Sequence, residues 1–178
     1  MKVITAPEKY YRHNNEVTCF LAGGITSCPE WQKKVIQQLF EKFPTNIDKL
    51  VIFNPRRDNF PIGDKTAAYE QIKWEFGLLD QCDIFSMYFS SGDSDQPICM
   101  YELGRNIVRM QNRFPSDWEN RIIVSVEDSY KRKQDVLIQT SLATRDSVPV
   151  NVQISDDMSI SYHTEMIYSE YMRLKYGI

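Results

Sequence analysis

The sequence predicts a doubly wound α/β domain on a mainly parallel five-stranded sheet, with a flavodoxin-like strand order. Two observations predict this fold. Strand-like apolar runs alternate with helical patterns, and several of these runs are apolar on consecutive residues, which is typical of parallel strands covered on both faces. The 178 residues, 42% of them hydrophobic, suit one domain. We therefore expect a single domain over residues 1–178, with its core at 16–140 and a C-terminal strand and helix at 148–178.

Strand and helix patterns follow one another along most of the chain. Strands are predicted at 16–22, 49–55, 83–89 and 121–127, and helices at 29–43, 67–81, 98–112 and 130–144. Weaker patterns predict a fifth strand at 150–154 and a closing helix at 159–178. In such a sheet, ligands bind beyond the carboxyl ends of the strands. The loops after the first four strands are therefore the candidate site.

Composition excludes several classes of function. The net charge of -3 provides no basic surface for duplex nucleic acid, and no apolar run reaches the roughly 20 residues of a membrane span. The first residues lack a secretory signal pattern, so we expect a cytoplasmic protein. The four cysteines form no CxxC pair and the two histidines lie far apart in sequence, so we expect neither a metal site nor a cofactor. A small polar ligand remains possible.

Glu102 is the first candidate for chemistry. It lies in the segment PICMYELG, at the flank of an apolar helical stripe formed by Leu103, Ile107 and Met110. Pro97 is expected near the start of this helix, whose positive dipole end would help to keep the carboxylate ionised. A partly shielded carboxylate is a competent nucleophile. The alternative is an ordinary surface glutamate at the start of a helix.

Two loops carry residues suited to binding an anion. The segment AGGIT provides Gly23 and Gly24, which allow a ligand to approach the backbone just before a helix, although the full GxGxxG pattern is absent. The segment NPRR places Arg56 and Arg57 directly after a strand, where a guanidinium group could bind phosphate or carboxylate. These arginines could equally be solvated loop charges.

Other polar residues have simpler interpretations on spacing alone. Asp83 begins the third predicted strand, where an aspartate most often belongs to a turn. Trp74 and Glu75 lie on a predicted helix, and a core tryptophan with an exposed neighbour is the simplest interpretation of the pair. Taken singly, none of these three residues indicates a function.

Seven segments taken together resemble a known family. In chain order they are FLAGGIT, WQ, NPRR, QIKWE, CDIF, PICMYELG and YKRKQDVLIQT, and they span roughly residues 17–140. Their order and register resemble the nucleoside 2-deoxyribosyltransferase-like family. This resemblance implies cleavage or transfer at the N-glycosidic bond of (deoxy)nucleosides or nucleotides.

The resemblance also implies roles for individual residues. Glu102 matches the family's nucleophile, which attacks the anomeric carbon to form a covalent glycosyl-enzyme, and Asp83 matches the aspartate that handles protons on the leaving base. A carboxylate suits this chemistry because the transition state resembles an oxocarbenium ion. Asp95 lies near the sequence position at which the family has an acidic residue that binds the sugar hydroxyl group. The candidate substrate-binding residues are Gly23, Gly24, Ile25, Thr26, Asn54, Arg56, Arg57, Trp74, Glu75, Asp95, Gln96 and Gln134.

Two departures from the family keep other functions open. Phe20 stands where well-known members have a tyrosine in the first predicted strand. In the members that cleave monophosphates, the segment before the glutamate is rich in serine and glycine and binds phosphate, and here that segment is QPICMY. The alternatives are a nucleotide-binding or sensing module without turnover, and an NAD glycohydrolase. The resemblance further implies a homo-oligomer, in which Gln134 could reach a neighbouring subunit's sugar.

Overall fold

After two consecutive strands, helices and strands alternate along the chain as the hydrophobic pattern predicts. A computed structural model describes residues 1–153 and 155–178. Its elements are β1 (Lys2–Thr5), β2 (Val17–Gly23), α1 (Trp31–Lys42), β3 (Leu50–Asn54), α2 (Lys65–Gln81), β4 (Ile84–Phe89), α3 (Pro97–Arg113), β5 (Ile122–Glu127), α4 (Lys133–Thr144), β6 (Val150–Gln153) and α5 (Asp156–Tyr176). The weakly predicted strand at 150–154 corresponds to β6. Its last predicted residue, Ile154, lies outside the described residues.

All strand pairs in the described part of the chain are parallel. The order is β1-β3-β2-β4-β5-β6, so the strands from β2 onward have the predicted flavodoxin-like order. The prediction of five strands is wrong, because β1 adds a sixth strand beside β3, with Val3 opposite Ile52. This edge strand was missed because it has four residues, too few for a clear periodic pattern.

Helices cover both faces of the sheet. Helices α1 and α5 contribute Trp31, Leu39, Ile167 and Tyr171 to the core on one face. Helices α2, α3 and α4 pack on the other face, where the predicted stripe of α3 is buried. Strands β4 and β5 are buried along their whole length, as their continuous apolar runs predict. Among the described helices, none is long and apolar enough to cross a membrane.

Helices α2 and α3 begin in different ways: α2 has a side-chain cap, whereas α3 begins with a proline that follows a left-handed residue. Asp64 caps α2 by accepting hydrogen bonds from the backbone N–H groups of Thr66 and Ala67. Helix α3 has Pro97 in its first turn, as predicted, and follows Gln96, whose φ of 49° lies in the left-handed region. Because Gln96 has this conformation, the chain turns sharply from the β4–α3 loop into the helix that carries Glu102.

Candidate functional site

A cleft of about 200 Å³ lies at the carboxyl ends of β2, β3 and β4, between α2 and α3. This is the position at which doubly wound sheets bind ligands. Its described lining residues are Phe20, Ala22, Gly23, Gly24, Ile25, Thr26, Pro55, Glu75, Ser94, Gln96, Pro97, Ile98, Cys99 and Glu102. Apart from its two carboxyl groups, this lining is uncharged. The carboxyl groups of Glu75 and Glu102 therefore dominate its electrostatics.

Glu102 lies on the second turn of α3, and its side chain enters the cleft. Burial raises the pKa of this carboxyl to about 7, the negative charge of Glu75 adds to the shift, and Arg105 opposes it. Burial therefore outweighs the help that the helix dipole was expected to give to the ionised form. The dipole acts mainly within the first turn of a helix, and Glu102 lies beyond it.

Glu75 reaches the same cleft from α2. Its Oε1 accepts a hydrogen bond of 2.7 Å from the Gln71 side chain, which also donates to the carbonyl of Pro55 at 2.7 Å. Burial raises the pKa of Glu75, whereas the Gln71 hydrogen bond and the charge of Arg57 oppose this shift. An exposed Glu75 was the simplest interpretation of the sequence, and this interpretation is wrong because the packing of α2 beside α3 turns the side chain into the cleft.

Asp83 lies at the amino end of β4, whereas the cleft lies at the carboxyl ends of the strands. Its Oδ2 accepts hydrogen bonds of 2.9 Å from the backbone N–H and the hydroxyl of Thr18, and it forms an ion pair of 2.7 Å with Arg12. Asp83 is absent from the described lining of the cleft, so the proton-handling role that the resemblance implies for it has no support in this geometry. The physical reason is strand polarity, because Asp83 directly precedes β4 and so stands at its amino end, whereas the cleft is at the carboxyl ends.

All four residues predicted in the glycine loop, 23–26, line the cleft. Gly23 has a φ of 150°, and a Cβ on this residue would lie 2.3 Å from the carbonyl oxygen of Tyr88. The indole N–H of Trp31 donates to the carbonyl of Gly24 at 3.0 Å. The loop is thus held against the sheet at a point where only glycine fits.

The β4–α3 loop brings Ser94 and Gln96 to the cleft but directs Asp95 away from it. Asp95 forms an ion pair of 2.9 Å with Lys131, and the hydrogen bond with Lys131 lowers the pKa of its carboxyl. Asp95 is absent from the described lining, so its predicted sugar contact has no support in this geometry. Gln96, also predicted, is buried there and donates from its side chain to the carbonyl of Ser90 at 2.7 Å.

The residues predicted at the end of β3 and just after it support the loops around the cleft and are absent from its described lining. Arg56 donates to the carbonyls of Pro29 at 2.6 Å and of Cys28 at 3.1 Å, which ties it to the loop before α1. Asn54 accepts a hydrogen bond from the backbone N–H of Arg56. Arg57 lies over the ring of Phe60, 5.4 Å from its centre. Arg56 and Asn54 therefore have structural contacts in place of the predicted ligand contacts.

Trp74 and Gln134 also lie outside the described lining of the cleft. The Trp74 ring packs against Phe20, and its indole N–H donates to the carbonyl of Glu8 at 2.7 Å. Trp74 borders a separate open groove against residues 7–11. Gln134 is exposed on the first turn of α4. The contacts of Trp74 fit the simpler interpretation of a tryptophan that packs on the core.

Several lining residues carried no chemical signal in the sequence. Ala22, Pro55 and Ile98 are apolar, and Cys99 is a buried thiol whose pKa burial raises to about 12. Their one available signal was position, since they lie at strand ends or at the start of a helix. Phe20, noted from the sequence as a departure from the family, lines the cleft and presents no hydroxyl group there.

Comparison with known proteins supports the resemblance seen in the motifs. A family model described as "Nucleoside 2-deoxyribosyltransferase like" matches residues 16–115, which is more than half of the 178-residue chain. This range includes β2 to α3 and every described lining residue of the cleft. A search of curated proteins found no match. The chain therefore belongs to the nucleoside 2-deoxyribosyltransferase-like family.

Proposed function

We propose that this protein cleaves or transfers the N-glycosidic bond of (deoxy)nucleosides or nucleotides through a covalent glycosyl-glutamate intermediate on Glu102. One observation carries the proposal: the Glu102 carboxyl enters the cleft beside a second carboxyl and, among the described residues, accepts no hydrogen bond. Membership of the family supports the substrate class. A carboxyl group left unpaired in a small cleft is available to react with a ligand.

The first step forms the intermediate. The bond between the anomeric carbon and the base nitrogen breaks, and its electron pair leaves with the base. Positive charge develops on the sugar, the ionised carboxylate of Glu102 stabilises this charge, and a bond forms between a Glu102 oxygen and the anomeric carbon. The apolar walls strengthen this electrostatic interaction because they exclude water from the reacting atoms.

We assign the proton donor to Glu75, in place of Asp83. Both carboxyl groups of the cleft have raised pKa values, and Glu75 contributes to the shift of Glu102, so the pair favours a state in which it holds one proton. The positive charge that develops on the sugar favours the ionised form of Glu102 and leaves the proton on Glu75. The departing base nitrogen takes this proton.

The second step releases the sugar. Water or a second base attacks the anomeric carbon, Glu75 accepts the proton of the incoming group, and the bond to Glu102 breaks. Two displacements at one carbon retain its configuration. Water as acceptor makes the protein an N-glycosidase, and a base as acceptor makes it a deoxyribosyltransferase.

A panel of nucleosides, nucleotides and NAD, offered with and without a free acceptor base, tests the proposal. We expect base release by the wild type, a mass increase of one glycosyl group on the intact protein, and loss of both in Glu102→Gln. The matched control is Glu70→Gln, which removes an exposed carboxylate of the same helix as Glu75 and outside the described cleft lining. Equal turnover by the wild type and Glu102→Gln would contradict the assignment.

The same panel separates the two alternatives. Phe20 leaves the β2 side of the cleft without a hydroxyl group, which favours a binding or sensing module as the second candidate. That candidate predicts ligand binding by calorimetry with no base release over hours. An NAD glycohydrolase would instead release nicotinamide from NAD.

A further inference from the structure

Glu127, the last residue of β5, is a buried carboxylate that the proposed reaction does not use. It is 1% exposed, and among the described residues its contacts are hydrogen bonds from neutral donors, without an ion pair. Burial of a carboxylate is costly unless several donors compensate for the lost hydration. Because desolvation of the carboxylate lowers the stability of the fold, the burial of Glu127 beside the candidate site indicates a specific role.

One carboxylate oxygen of Glu127 anchors the β4–α3 loop. Its Oε2 accepts from the backbone N–H of Ser91 and, at 2.5 Å, from the Ser91 hydroxyl. The adjacent carbonyl of Ser90 accepts from the side chain of Gln96 at 2.7 Å. The carbonyl of Gln96 in turn accepts from the N–H of Met100 in the first turn of α3. This route connects Glu127 with the helix that carries Glu102.

The other oxygen of Glu127 is connected with the glycine loop. Its Oε1 accepts from the hydroxyl of Tyr88 at 2.8 Å, and the Tyr88 ring stacks on Trp31 with ring centres 4.9 Å apart. The indole N–H of Trp31 donates to the carbonyl of Gly24, which lines the cleft. A single carboxylate thus contacts the supports of two neighbouring loops, and both loops line the cleft.

We propose that Glu127 is a positioning residue that holds the glycine loop and the β4–α3 loop in register where the two loops line the cleft. Its kinetic consequence depends on the proposed function, whereas its effect on the loops does not. Since misplacing a reacting group by about 1 Å can cost up to about 100-fold in rate, loss of this register should lower kcat more than it changes KM.

The test uses three variants of the full chain. Glu127→Gln keeps the shape but replaces an acceptor by a donor, Tyr88→Phe removes the contact with Oε1, and Ser91→Ala removes one contact with Oε2. The control is Ser125→Ala, since Ser125 is also a buried polar residue of β5 but bonds to His163 in α5. Hydrogen exchange over residues 90–102 and steady-state kinetics are the two measurements.

For Glu127→Gln we expect exchange at 90–102 to accelerate by about tenfold or more while the strands stay protected. We expect kcat to fall by about tenfold or more, with KM within about threefold and an unchanged pH profile, and both values to stay at wild type in Ser125→Ala. A folded Glu127→Gln with wild-type exchange and kcat would overturn the proposal, as would an equal loss in the control.

Two further outcomes keep this test separate from that of the proposed function. If Glu127→Gln does not fold, Tyr88→Phe and Ser91→Ala decide, and wild-type exchange and kcat in both would overturn the positioning role. If the wild type releases no base from any substrate, the proposed function fails, and hydrogen exchange alone decides whether Glu127 holds the loops.

Discussion

The carboxyl of Glu102 is held where its charged form is poorly solvated. Its pKa is about 7 in the folded chain, mainly through burial, against 4.5 for an ordinary glutamate. As the pH rises from about 4.5 to 7, the unfolded chain loses this proton before the folded chain does. The contribution of the neutral carboxyl to stability is therefore complete below about pH 4.5 and is lost as the pH passes 7.

We expect Glu102→Gln to be more stable than the wild type at pH 8 but not at pH 4, because glutamine carries no charge to desolvate. The gain in the free energy of unfolding should be on the order of 2 kcal/mol at pH 8. Urea unfolding at both pH values measures it. The exposed Glu70→Gln is the control. An equal gain for Glu102→Gln at pH 4 and pH 8 would show that burial of the charge is not the cause.

At the scale of elements, His163 joins α5 to the centre of the sheet. The fully buried imidazole bonds to the hydroxyl of Ser86 on β4 at 2.6 Å and to that of Ser125 on β5 at 2.8 Å. Burial lowers the pKa of His163 to about 3 from its usual 6.5. The imidazole is therefore neutral in the folded protein across the physiological range, and its contacts are those of a structural residue.

Acid should weaken the attachment of α5 through this histidine. Below about pH 6.5 the unfolded chain takes up a proton that the folded chain takes up only near pH 3, so the free energy of unfolding falls as the pH falls between these values. We expect His163→Gln to lose much of this pH dependence in urea unfolding, whatever its stability at pH 7. The exposed His13→Gln is the control, and an undiminished slope in His163→Gln would contradict the prediction.

At the scale of the whole molecule, α2 and α3 present an apolar surface to solvent. This α2/α3 patch consists of Tyr69, Ile72, Phe76, Ile98, Tyr101 and Val108, which are all exposed. The guanidinium of Arg105 lies over the rings of Phe76 on α2 and Tyr101 on α3, so the parts of the patch on the two helices are contiguous. Ile98 also lines the cleft, so the patch reaches its mouth. Large exposed apolar patches often mark association surfaces.

The homo-oligomer implied by the family resemblance stays a prediction, and the α2/α3 patch makes it specific. We expect a dimer by light scattering that Ile72→Glu weakens by about tenfold or more, because it places a charge within a buried apolar interface. Leu142→Glu, at an equally exposed leucine of α4, should have no effect. A monomeric wild type at all concentrations, or equal weakening by both variants, would contradict the prediction.

Much of the fold could be predicted because strand and helix patterns are local. The continuous apolar runs of β4 and β5 and the stripe of α3 are buried where the pattern indicates. Strand β1 could not be predicted, because its four residues acquire their structure by pairing with β3. Local periodicity carries no information about such a pairing.

The sequence by itself determined the alternation of strands and helices, the place of the glycine loop, and the position of Glu102 early in the helix after β4. Only the tertiary structure decided that Glu75 shares the cleft with Glu102 and that Asp83 lies at the amino end of β4, away from the cleft. It also decided that Glu102 titrates near neutral pH. Periodicity acts over a few residues, whereas desolvation and repulsion between carboxylates depend on which helices pack side by side.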